Sequence, residues 1–116
     1  MKNLVTLIAV LSITACGTMN SSVQAQDKAA EVNEAIQMAE AELAAAAKTG
    51  HVWRLIDPAT GSKSQNLGKI LEAAKEKQAA GELDEALRIA NRVAETAKLG
   101  QQQAEQQADA EPFYNQ

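Results

Sequence analysis

Side chains able to do chemistry are few in this sequence, and they do not gather. Cys16 is the only thiol and His51 the only imidazole, and they stand far apart along the chain. A metal site of imidazole and thiolate ligands needs several such groups at close spacing, so that chemistry is excluded. Carboxylates do fall in pairs, at Glu31 with Glu34 and at Asp84 with Glu85. Glu31 and Glu34 would share a helix face, but Lys28 lies one turn away and no apolar neighbours surround them. Solvated charge is therefore their ordinary role, because nothing there would shift a carboxyl toward acid–base work. The sequence also lacks a glycine-rich phosphate loop, a serine-triad pattern and a cofactor fingerprint. The expectation is no catalytic residue, no metal, no cofactor and no enzyme.

Binding is better represented than catalysis. Trp53 and Arg54 are adjacent, and Trp and Arg are the residues most enriched at interface hot spots. The favoured place for Trp53 is nevertheless the open end of an alanine-lined helix pair, since a lone tryptophan in a small domain is usually core. Phe113 and Tyr114 close the sequence after a glutamine-rich stretch and are either inert or an adhesive tip. Partner-binding candidates are thus Trp53, Arg54, Phe113 and Tyr114.

The role of Cys16 follows from what precedes it. Met1 and Lys2 give a positive start, Leu4 to Ile13 is apolar, and the small residues Thr14 and Ala15 lead into the cysteine. That is the layout of a secretory signal, and the apolar run is too short for a permanent membrane span. Ile13-Thr14-Ala15-Cys16 resembles the lipobox of bacterial lipoproteins. The resemblance implies cleavage before Cys16, acylation of its thiol and a membrane anchor there. Gly17, in place of Asp, implies sorting to the outer membrane, facing the periplasm. Residues 1–15 are then a signal peptide and 16–22 a lipidated tether. The helical domain would span 23–109, with a tail at 110–116.

Composition narrows the rest. Without residues 1–15, 101 of the 116 residues remain, enough for one small domain. Lys2 leaves with them, so ten basic side chains face fifteen acidic ones. That balance argues against nucleic acid, which needs a basic face. One Trp, one Tyr and one Phe are the only aromatics, and alanine supplies much of the apolar count. Alanine favours helix but buries little surface, so a thin, helical, marginally stable body is expected.

Periodicity places the elements. Ala25, Ala29, Val32, Ile36, Ala39, Leu43 and Ala46 recur at alternating spacings of four and three, predicting a helix from about Val23 to Lys48. Ser21 with Gln24 could cap it, and Gly50 ends it. Residues 49–64 break the period, and Asp57-Pro58-Ala59-Thr60-Gly61 reads as a turn. A second, short helix is predicted to begin near Ser62 or Ser64, where Ser62 and Gln65 could form a capping box. Its buried side is Leu67, Ile70, Leu71 and Ala74, and Gly81 stops it. Glu82, Asp84 and Glu85 suit the positive start of a third helix, which buries Leu83, Ala86, Ala90, Val93 and Ala97. Beyond Gly100 the glutamines can stay helical, until Glu111-Pro112 stops them. The fold class is all-α: a lengthwise hairpin or three-helix arrangement with a short middle helix.

The order of these features is similar to that of the SoxXA-binding proteins. A lipobox and an alanine-rich helix lead to Gly50 and Trp53-Arg54; a helix, Gly81 and an acidic turn follow. Ala86-Leu87-Arg88-Ile89-Ala90-Asn91, Leu99-Gly100-Gln101-Gln102-Gln103-Ala104 and Pro112-Phe113-Tyr114 complete the likeness. Leu55 to Ser64 departs from it by adding a turn with Pro58 and Gly61. The resemblance implies an accessory protein that binds and activates the c-type haem enzyme SoxXA in periplasmic thiosulfate oxidation, with no catalytic group of its own. The alternative class is a structural or spacer lipoprotein of the envelope with a helical interaction surface.

Overall fold

The computed structural model describes residues 19–50 and 53–110, with side chains from Val23 onward. Three helices pack lengthwise, α1 (Met19–Lys48), α2 (Leu67–Ala79) and α3 (Leu83–Gln106), joined between α1 and α2 by a small hairpin. The fold is all-α with one minimal sheet.

Alanine allows close approach, and the few larger residues fill the seam. Val32, Ala35, Ile36, Ala39 and Ala46 of α1 meet Ala86, Ile89, Ala90, Val93, Ala94 and Ala97 of α3; Leu67, Ile70, Leu71 and Ala74 of α2 close the core. Surface pairs give the directions. Lys28 of α1 reaches Asp84 at the start of α3, 3.0 Å away, and Gln101 late in α3 donates to Glu42 of α1 at 2.7 Å. α1 and α3 are therefore parallel. Lys75 pairs with Glu40 and Gln78 donates to Asn33, so α2 runs antiparallel to both.

Two expectations about α1 are corrected. It begins at Met19 rather than Val23, so Ser21 lies inside the helix and cannot cap it. Once a helix is nucleated, an added turn costs little, even through Asn20, Ser21 and Ser22. The apolar stripe also starts too early: Ala25 is exposed, because Lys28 already sits level with the first turn of α3. The start of α1 overhangs the bundle.

The connection differs more. Instead of an aperiodic stretch, β1 (Arg54–Ile56) pairs antiparallel with β2 (Ser64–Asn66), with Leu55 opposite Gln65. Between them Pro58–Thr60 form one 3₁₀ turn, entered from Asp57, whose Oδ1 accepts from Ala59 N at 2.9 Å. Ser62 has φ 57°, left-handed backbone incompatible with opening a helix. The predicted Ser62–Gln65 capping box therefore does not exist. Asn66 is the cap instead, its Oδ1 accepting from Lys69 N at 2.8 Å. At the other end of α2, Gly81 at φ 81° lets Glu82 N reach Lys77 O at 2.9 Å, the six-residue closure a left-handed glycine permits.

Candidate functional site

The hairpin lies along α3 and runs antiparallel to it. Trp53, just ahead of β1, sits over Gly100 near the end of α3. Ile56 O accepts from Arg92 at 3.5 Å, and Asp57 reaches Arg88 in the second turn of that helix. The 3₁₀ turn meanwhile rests on α2, where Ala59 and Thr60 border a shallow groove with Lys69, Glu72 and Glu76.

Trp53 is half-buried and packs against the core. A Cβ built at Gly100 would stand 3.1 Å from its Nε1 and 3.2 Å from its Cδ1, so the indole rests directly on that glycine. A larger side chain at position 100 would lift the ring. Arg54 points the other way, as alternation along a strand requires. It is exposed, its Nε donating to Ser64 Oγ at 3.2 Å and its Nη2 to Ser64 O at 2.7 Å across the hairpin. The neighbouring Trp53 and Arg54 thus belong to opposite faces. Cys16, His51, Phe113 and Tyr114 lie outside the described residues.

A charged cluster beneath the hairpin was not legible in the sequence. Asp57 is the one buried charged residue among those described, with 0% exposure. Arg88 grips it with two bonds, Nη1 to Oδ2 at 3.0 Å and Nη2 to Oδ1 at 2.9 Å. The same guanidinium holds Glu85 through Nε at 2.9 Å and Nη2 at 2.6 Å. Arg92 Nε stands 3.9 Å from Asp57 Oδ2. These bonds from Arg88, with help from Ala59 N and Arg92, hold the Asp57 carboxyl below its ordinary value, and Arg88 likewise lowers Glu85. Arg88 is driven further upward by Glu85 and Asp57. The arrangement favours the charged form of all three side chains. Its work is to pin the hairpin to α3. The sequence held two signals: an Asp-Pro start to a turn, and Glu85, Arg88 and Arg92 at helical spacing.

On the far side, a second groove runs between α1 and α3, bordered by Met38, Glu42, Asn91, Glu95 and Lys98. Among the described residues no group of three or more His, Cys, Asp or Glu could hold a metal ion, and no helix is long and apolar enough to cross a membrane. Comparison with protein-family models, curated proteins and solved structures finds no match for this chain.

Proposed function

We propose that this chain is a non-catalytic accessory lipoprotein that binds and activates the c-type haem enzyme SoxXA, held at the outer membrane through acylated Cys16. The reading rests on the resemblance described above, and one observation supports it most. Trp53 and Gly100, far apart in sequence and both among the residues that carry the likeness, touch in the folded protein. A helical frame that presents a short, pinned hairpin suits a partner-binding role. The overhang of α1 beyond α3 favours the rival reading of a spacer between membrane and another complex.

The test is titration of the full-length protein, in detergent, against purified SoxXA, with thiosulfate-oxidation rate measured alongside. Saturable association with a raised rate is expected. No association at any concentration reached would refute the proposal. For the anchor, Cys16→Ser is expected to leave unprocessed or unanchored protein; wild-type protein found free in the periplasm with an unmodified thiol would exclude lipidation.

A further inference from the structure

We infer that the outward face of the hairpin, centred on Arg54 and Ile56, is the surface that meets the partner, and that it takes a carboxylate lying beside an apolar side chain. This rests on the proposed partner-binding role and names the site for it.

Four observations carry the assignment. Arg54 and Ile56 are two apart on β1 and so share a face. Ile56 is 57% exposed, the most of the four large apolar side chains left in solvent among the described residues, the others being Val23, Met38 and Leu99. The Arg54 guanidinium is already oriented by Ser64 through its Nε and Nη2, and its remaining donors are free among the described residues. An oriented guanidinium loses little freedom on gripping a carboxylate with two bonds, its preferred partner geometry. The last observation is charge. The protein carries a net charge of −4, yet the hairpin and the adjoining stretch of α3 bring together Arg54, Lys63, Arg88 and Arg92 against Asp57 and Glu85. Arg88 satisfies both acids, which leaves Arg54 and Lys63 without an acidic partner among the described residues. Glu95, one turn beyond Arg92 on α3, is the next acid along and also lines the groove with Met38. A cationic rim around one exposed isoleucine, on an otherwise acidic protein, complements an acidic protein surface. Trp53 does not belong to this face, since its ring is turned onto Gly100.

The experiment compares full-length wild type, Arg54→Glu, Arg54→Gln, Ile56→Asp and Glu95→Gln in titrations against purified SoxXA at low and moderate salt. Circular dichroism of each variant checks folding. Arg54→Gln guards against misfolding, since it removes the charge while keeping an amide able to bond Ser64. The expected result is a loss of about tenfold or more in affinity for Arg54→Glu and Ile56→Asp. Arg54→Gln should be intermediate, Glu95→Gln unchanged, and wild-type binding weaker at higher salt. If wild type binds and the hairpin variants bind equally well, the face is wrong while the accessory function stands. If wild type does not bind, both fall. A loss confined to truncation of Phe113 and Tyr114 moves the site to the tail and overturns this one. If Arg54→Glu instead releases the protein from vesicles of anionic phospholipid but leaves SoxXA binding intact, the rim faces a membrane and the proposal fails.

Discussion

Asp57 and Arg88, 31 residues apart in sequence, meet through two bonds of 2.9 and 3.0 Å, and this pair ties the hairpin to α3. The two partners are not equivalent. Asp57 is fully buried, whereas the Arg88 side chain is 39% exposed. Removing the arginine leaves a buried carboxylate held only by Ala59 N at 2.9 Å and by Arg92 at 3.9 Å; removing the acid leaves a cation that can turn to Glu85 and water.

The asymmetry gives the first prediction. Arg88→Met should destabilise by about 3 kcal/mol, the penalty for a buried charge that has lost its main partner. Asp57→Ala should cost less, about 2 kcal/mol, mostly for lost bonds to Arg88 and Ala59 N. The double variant should be more stable than Arg88→Met alone. Thermal unfolding decides, since 1 kcal/mol moves Tm by about 4–8 °C in a domain this small. Equal losses for the two single variants would count against the buried-charge account.

The same pair sets a pH dependence. Arg88 and its neighbours hold Asp57 below its unfolded value of about 3.9, and Glu85 is lowered in the same direction. A lowered carboxyl contributes stability that is complete above the unfolded value and lost as pH falls through the folded one. Unfolding temperature should therefore hold from about pH 5 to 8 and decline below about pH 4. In Asp57→Asn the decline should be shallower. A decline as steep as in wild type would remove Asp57 from the account.

Trp53 against Gly100 makes a third test, with a built-in reporter. Trp53 is the only tryptophan, so its emission reads one site. Gly100→Val should lift the indole, shift emission to longer wavelength and lower stability. Gly100→Ala sets a tight contact near 3.1 Å against a helix-propensity gain of about 1 kcal/mol, so its net effect should be small. Trp53→Ala should cost about 2 kcal/mol or more through lost packing. Unchanged emission in Gly100→Val would mean that the ring does not rest there in solution.

The start of α2 can be checked with single caps. Asn66→Ala should cost about 1 kcal/mol by freeing Lys69 N. Ser62→Gly should be neutral or stabilising, since glycine accepts the left-handed backbone of that position freely. Destabilisation by Ser62→Gly alone would favour a helix beginning at Ser62.

Much of the architecture was legible because helices announce themselves locally. The spacing of Val32, Ile36, Ala39, Leu43 and Ala46 in α1, and of Ala86, Ala90, Val93 and Ala97 in α3, states a buried face over several turns. Gly50 and Gly81 mark stops that depend only on their own backbone. Residues 53–66 carry no such signal. Three-residue strands are too short to show a period, and Ser62 and Gln65 satisfy a capping pattern that the left-handed backbone at Ser62 forbids. The burial of Asp57, its capture by Arg88 and the seating of Trp53 on Gly100 arise only once α3 is in place. Each joins residues whose separation in sequence says nothing of their distance in space. From its own pattern the sequence determined the helices and the sides they bury. Tertiary structure decided where the hairpin lies, and so why Trp53 faces inward while Arg54 faces out: a strand's alternation has no absolute direction until a neighbouring helix occupies one side.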